Sequence, residues 1–133
     1  MGLKEYFDRT TGKGVLATSD VYGHVDTALY AKPYLVDDRT VVFIMADRLS
    51  HANLSTNPHA AYLYLEDGQG LRGRRLILTK IREERNPELI DELMRLRRYI
   101  SQDRLYDEDS FLVFFAVDRE LPLTMGDMAV GPE

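Results

Sequence analysis

The sequence predicts a mainly β protein, an antiparallel β-barrel with peripheral helices. Three observations support this prediction. About seven apolar or alternating segments of strand length follow one another. Turn residues separate them at hairpin spacing, and one well-capped helix precedes the last segment. Because closure of an antiparallel sheet removes its exposed edges, successive hairpins favour a barrel.

Length and composition limit the class of protein. The 133 residues predict one domain covering 1–133, and 44% of them are hydrophobic. A net charge of -5 would repel a phosphate backbone, so no nucleic-acid partner is expected. The absence of cysteine excludes disulfides and thiolate chemistry.

Charges near Met1 replace the apolar core of a signal peptide, and no segment approaches the roughly 20 apolar residues of a membrane span. We therefore expect a cytoplasmic protein without a membrane partner.

The first half of the chain predicts a helix and two hairpins. Leu3, Tyr6 and Phe7 are spaced to share one face of a short helix that ends near Gly12. The arms of the first hairpin are predicted at residues 15–18 and 24–31, and those of the second at 34–36 and 41–45. The last arm is apolar on both faces, so it should be central in the sheet.

The second half predicts two helices and three strands. A short helix at 50–56 should end at Asn57, because a residue before proline is pushed out of the helical conformation. Asn86 should cap the later helix, with Pro87 in its first position. That helix has a predicted apolar stripe of Leu89, Leu93, Leu96 and Ile100. A strand is predicted at 60–65, with tyrosines on one face and aliphatics on the other. A second is predicted at 71–83, where Gly73 indicates a bulge or a close approach. The last is predicted at 111–117 and precedes a tail with Pro122 and Gly126.

The turn at residues 46–51 is the first candidate site. A buried strand ends there and a helix is predicted to begin at Ser50. The free backbone N–H groups of a helix start suit a phosphate, and Arg48 can add a bidentate contact. From these residues alone, Ser50 as an N-cap beside a solvated Arg48 is the simpler interpretation.

Two further segments are weaker candidates. The strand residues Thr27, Ala28, Leu29 and Tyr30 could offer backbone groups to the rim of a flat heterocycle, although plain core packing explains them as well. A basic stretch could bind a phosphorylated ligand or, more simply, protect a solvent-facing strand edge; it comprises Arg72, Arg74, Arg75 and Lys80. The three histidines lack metal-ligand spacing, so no metal site is expected.

The order of these motifs resembles the pyridoxamine 5′-phosphate oxidase-like family of FMN-binding split barrels. The matching segments are GVLAT at 14–18, the turn at 22–24, RLSHANL at 48–54 and Asn57-Pro58, and they span nearly the whole chain. The resemblance implies a Greek-key split barrel, FMN as cofactor and a homodimer with the flavin near the interface.

Carried over to this chain, the resemblance assigns two parts of an FMN site. Arg48, Ser50 and His51 would lie around the phosphate, with Asn53 close behind on the helix. Residues 27–30 would lie along the isoalloxazine ring. The family usually has a lysine near the position of His51 or Leu49, which is absent here, so Arg48 would supply most of the positive charge.

The resemblance leaves the activity open, since such barrels include oxidases, FMN or deazaflavin reductases, haem-related proteins and flavin carriers. We expect a flavin-dependent oxidoreductase acting on an unknown small molecule. A non-catalytic flavin-binding or electron-transfer protein and a cofactor-free interaction barrel are the alternatives. A true pyridoxamine phosphate oxidase is not expected, because residues 121–133 lack the arginine and histidine that bind its substrate.

Overall fold

The computed structural model describes residues 1–96 and 110–124. The helices are α1 (Leu3–Arg9), α2 (Leu49–Thr56) and α3 (Pro87–Leu96). The strands are β1 (Gly12–Ser19), β2 (Val25–Tyr30), β3 (Tyr34–Asp37), β4 (Thr40–Met45), β5 (His59–Glu66), β6 (Gly73–Glu84) and β7 (Phe111–Pro122). All seven strands form one antiparallel sheet in the order β2-β1-β5-β6-β7-β4-β3. The predicted fold class and both predicted hairpins are confirmed.

The sheet rolls up, so strands far apart in its order share one core. Tyr30 of β2 packs edge-on against Phe43 of β4, with 5.9 Å between the ring centroids. The Tyr62 hydroxyl of β5 donates a hydrogen bond to the Tyr30 carbonyl oxygen at 2.9 Å. Because β2 and β3 stay at opposite ends of the strand order, the barrel is split between them.

Two glycines make the close strand approaches possible. A side chain at Gly14 would collide with the Tyr62 hydroxyl group, and one at Gly73 would collide with the Tyr64 carbonyl oxygen. The close approach predicted at Gly73 is therefore confirmed. Tyr62 and Tyr64 are fully buried while Leu63 between them is exposed, as the predicted alternation of this strand requires.

The basic stretch does not protect a strand edge, because β6 is paired on both sides, with β5 and β7. Arg74 forms an ion pair with Glu120 and stacks over the Tyr6 ring, 4.0 Å from its centroid. The Arg75 Nε–H donates to the Pro122 carbonyl oxygen at 2.8 Å. Pro122 itself ends β7 rather than lying in a tail, since a strand terminus tolerates a missing N–H.

Helix α3 confirms its predicted cap and corrects its predicted stripe. The Asn86 side-chain oxygen accepts a hydrogen bond from the Leu89 N–H at 3.1 Å, which is N-cap geometry. Leu89 and Leu93 pack as expected, but the residue buried most deeply is Ile90. Leu96 is 73% exposed, because the buried face of the helix is centred on Ile90 rather than on the predicted stripe. Ile100 and Gly126 lie outside the described residues.

Candidate functional site

The predicted phosphate turn joins β4 to α2, and the helix starts earlier than expected. Its first residue is Leu49 and its N-cap is Arg48, which makes no side-chain cap hydrogen bond. Ser50 is therefore the second helical residue, and its interpretation as the N-cap is wrong. The first turn of α2 contains no acidic residue. Among the described residues, no side chain caps this helix, so its free N–H groups suit an anion.

The two candidate segments meet at Tyr30. Burial raises the pKa of the Tyr30 hydroxyl group, and a side-chain hydrogen bond with Ser50 lowers it. The nearby charge of Asp26 raises this pKa further, while the charge of Arg48 lowers it. The net pKa lies above the usual value for tyrosine, so this hydroxyl group remains protonated at neutral pH. The fold therefore brings the end of β2 next to the start of α2.

The four candidate residues of β2 do not share one face. Thr27 and Leu29 are exposed on the outer side of the sheet, whereas Ala28 and Tyr30 are half-buried on the other side. This follows from the two-residue period of a β-strand. A flat ring resting on one face can therefore meet only two of the four side chains.

His51 is held by protein groups on both ring nitrogens. Its Nδ1 lies 3.0 Å from Asp47 Oδ1, and its Nε2 lies 3.0 and 3.1 Å from the two carboxylate oxygens of Glu83. The imidazole also stacks on Phe111, with ring centroids 4.0 Å apart and an interplanar angle of 11°. With both nitrogens engaged, His51 is not free to donate to a phosphate in this arrangement.

Glu83 is a stable anion in this cluster. Burial raises the pKa of its carboxyl group, but hydrogen bonds from Lys80 and His51, together with their charges, outweigh burial and leave the pKa below its usual value. The Lys80 Nζ lies 2.6 Å from Glu83 Oε1. The carboxylate therefore binds a histidine and a lysine at once.

Asn53 faces the sheet and is used within the protein. Its side-chain nitrogen donates to the Thr18 hydroxyl oxygen at 3.0 Å, and both residues are buried. This pair attaches α2 to β1. Asn53 therefore holds the helix in place, and its amide N–H group is directed at Thr18 rather than at the start of α2.

Several solved structures share this architecture. An FMN-binding protein from Syntrophomonas wolfei subsp. wolfei matches with a TM-score of 0.74 and 16% identity over 92% of this chain and 84% of that one. The chain has the split-barrel fold. HupZ of Group A Streptococcus matches with a TM-score of 0.66 and 18% identity, covering 91% of this split barrel and 90% of its own chain. The styrene monooxygenase flavin reductase of Pseudomonas putida matches with a TM-score of 0.55 and 11% identity, covering 90% and 83%. No protein-family model and no curated sequence matches the chain.

The split barrel contains site residues that the sequence did not single out. Asp47 had a local signal, since it lies four residues before His51, a spacing that places side chains together at a helix start. Glu83 and Thr18 had none, because each reaches α2 only through the tertiary fold.

Within residues 1–96 and 110–124, no group of at least three His, Cys, Asp or Glu side chains could hold a metal ion. No helix in this part of the chain has the length and apolar character needed to cross a membrane.

Proposed function

We propose that this split barrel binds FMN, with the phosphate at the start of α2, and serves as a flavin-dependent oxidoreductase. The observation that carries the proposal is the N-terminus of α2, which has no side-chain cap and lies beside Arg48, Ser50 and Tyr30. Free backbone N–H groups, an arginine and a protonated hydroxyl are the donors that a phosphate needs. The fold is shared with an FMN-binding protein and a flavin reductase, which supports the choice of flavin.

In this proposal the isoalloxazine ring lies along residues 27–30 of β2. The end of that strand adjoins the phosphate donors through Tyr30, so one ligand could engage both segments. Bound FMN would supply the redox chemistry, while the protein would bind and orient it and exclude water. No side chain of the chain is then required to act as acid, base or nucleophile.

We also propose a homodimer, with the flavin near the subunit interface. The outward side chains of β1, β2 and β5 form an outer apolar face: Val15, Ala17, Val25, Leu29, Leu63 and Leu65. Val25 and Leu29 are 80% and 74% exposed. Cross-strand pairing places Leu29 beside Val15 and Val15 beside Leu63, so the face is continuous. Such patches are characteristic of interfaces.

Charge favours a second copy as the occupant of this face. The chain carries a net charge of -5, so most of its surface repels another copy. The outward positions of β1, β2 and β5, all among the described residues, include no acidic side chain. Thr27 and Leu29 lie on this face, which would put the proposed ring site close to the interface.

The phosphate assignment is tested by titrating the purified protein with FMN and with riboflavin, which lacks the phosphate. We expect flavin absorption that is released on denaturation, and tighter binding of FMN than of riboflavin. The double variant Arg48→Ala, Ser50→Ala should weaken FMN binding by roughly tenfold or more, since it removes a charge-assisted contact, while riboflavin binding changes little.

A matched control removes one arginine and one serine elsewhere. Arg39→Ala, Ser55→Ala changes the same residue types at two exposed positions and should leave both affinities unchanged. Unchanged FMN affinity in the Arg48, Ser50 variant would refute the phosphate assignment. A wild-type protein that binds neither flavin would refute the proposed function. Turnover with NADH or NADPH is expected, and flavin binding without turnover would favour the non-catalytic alternative.

A further inference from the structure

The side chain of His51 joins three elements of the fold. It starts on α2, its nitrogens contact Asp47 before the helix and Glu83 on β6, and its ring stacks on Phe111 at the start of β7. The His51 side chain is only 13% exposed, whereas Asp47 is 63% exposed. We refer to Asp47, His51, Lys80 and Glu83 together as the His51 cluster.

The contacts of the cluster favour the charged form of the histidine. A neutral imidazole has one N–H donor, and a carboxylate can only accept. Both nitrogens of His51 face carboxylate oxygens at 3.0 Å, and only the imidazolium form can donate to both of them at once. With Lys80 on Glu83, the cluster then contains two positive and two negative charges and is neutral. Arg85 adds a positive charge nearby, over the Phe111 ring at 4.6 Å.

The cluster surrounds the start of α2 with carboxylates. Asp47 directly precedes the N-cap Arg48, and Glu83 contacts the third helical residue. Without compensating positive charge, two carboxylates beside the helix start would oppose a phosphate dianion bound there. The imidazolium and the Lys80 ammonium together offset this repulsion, and neither needs to contact the anion itself.

We propose that His51 is a positioning residue of the FMN phosphate site: its imidazolium holds the carboxylates of Asp47 and Glu83 and, together with Lys80, neutralises them. This inference rests on the proposed function, because it assumes that a phosphate binds at the start of α2. It assigns His51 a role different from direct phosphate contact, and it makes Asp47 and Glu83 part of the site.

The test compares affinities for FMN and riboflavin, because only FMN carries the phosphate. His51→Gln leaves the two carboxylates without their shared cation and should lower the FMN-to-riboflavin preference about fivefold, the effect of one partly screened charge. The triple variant His51→Gln, Asp47→Asn, Glu83→Gln lacks the cation and both carboxylates, and should restore the preference. A purely structural role would weaken both ligands alike and would not be rescued.

A second variant keeps the inference testable if His51→Gln does not fold. Asp47→Asn alters an exposed side chain and should raise the FMN-to-riboflavin preference, because the imidazolium is then in excess. An unchanged preference in both His51→Gln and Asp47→Asn would overturn the inference, as would a triple variant no better than His51→Gln. If the wild-type protein shows no preference for FMN over riboflavin, the phosphate site itself fails, which is a separate outcome.

Discussion

Neighbouring residues at the start of α2 serve different purposes. Ser50 contributes to the surroundings of Tyr30, His51 binds two carboxylates, and Asn53 donates to Thr18. The helix rotates about 100° per residue, so side chains one or two positions apart face different neighbours. Under the proposed function, one motif would therefore combine ligand binding, charge compensation and attachment to the sheet.

The buried pair of Asn53 and Thr18 gives a prediction about stability. Asn53→Ala leaves the buried Thr18 hydroxyl without its partner, so we expect the free energy of unfolding to fall by about 1–3 kcal/mol. Urea denaturation followed by circular dichroism measures this loss. Ser55→Ala, at an exposed position of the same helix, is the control and should change stability by less than about 0.5 kcal/mol. A similar small change for Asn53→Ala would contradict a structural role for the pair.

Among the elements, α2 and α3 differ in how their N-termini are satisfied. Asn86 caps α3 with its side chain, whereas the Arg48 side chain leaves the start of α2 uncapped. An uncapped start costs helix stability unless water or a ligand supplies the missing acceptors. Under the proposed function, this contrast corresponds to a structural role for α3 and a binding role for α2.

The cap of α3 can be tested by itself. Asn86→Ala removes the acceptor of the Leu89 N–H and should lower the free energy of unfolding by about 1 kcal/mol. Asn86→Asp keeps a capping oxygen and should retain most of the stability. Urea midpoints of the two variants provide the measurement, and equal midpoints would argue against this cap. Flavin affinity should be the same in both, because α3 is not part of the proposed site.

For the whole molecule, the outer apolar face and the acidic surface have opposite effects on association. In the proposed homodimer, burial of the apolar face would favour a second copy, and the net charge of -5 would repel it elsewhere. Such a distribution would direct two copies to associate through this face and would disfavour other contacts. The proposed dimer interface therefore includes the outward positions 25, 27 and 29 of β2, where exposed apolar side chains lie and acidic side chains do not.

Leu29→Asp tests the dimer, since it places a carboxylate on each of two facing surfaces. We expect the wild-type protein to sediment as a dimer and the variant as a monomer in analytical ultracentrifugation at micromolar concentrations. Val36→Asp adds the same charge at another exposed apolar position, on β3, and should leave the dimer intact. The dimer proposal fails if the wild-type protein is a monomer, and the assigned face is wrong if Leu29→Asp stays dimeric.

Local chemistry was sufficient to predict most elements of the fold. The hairpins, the Asn86 cap, the alternation of β5 and the close approach at Gly73 each depend on residues near one another in sequence. Turn residues, caps and the two-residue period act over a few positions, so the sequence alone determines them. A predicted strand boundary differed from the observed one where pairing extended the strand: β7 ends at Pro122, whereas the prediction ended it at residue 117.

The site was predicted less completely, because its decisive contacts are distant in sequence. His51 and Glu83 are 32 residues apart, and Asn53 and Thr18 are 35 apart. By itself the sequence determined a strand, a turn with Arg48 and a helix in an order that suits an anion. Only the tertiary structure decided which side chains remain available at that helix start, because strand pairing and packing select their partners across the chain.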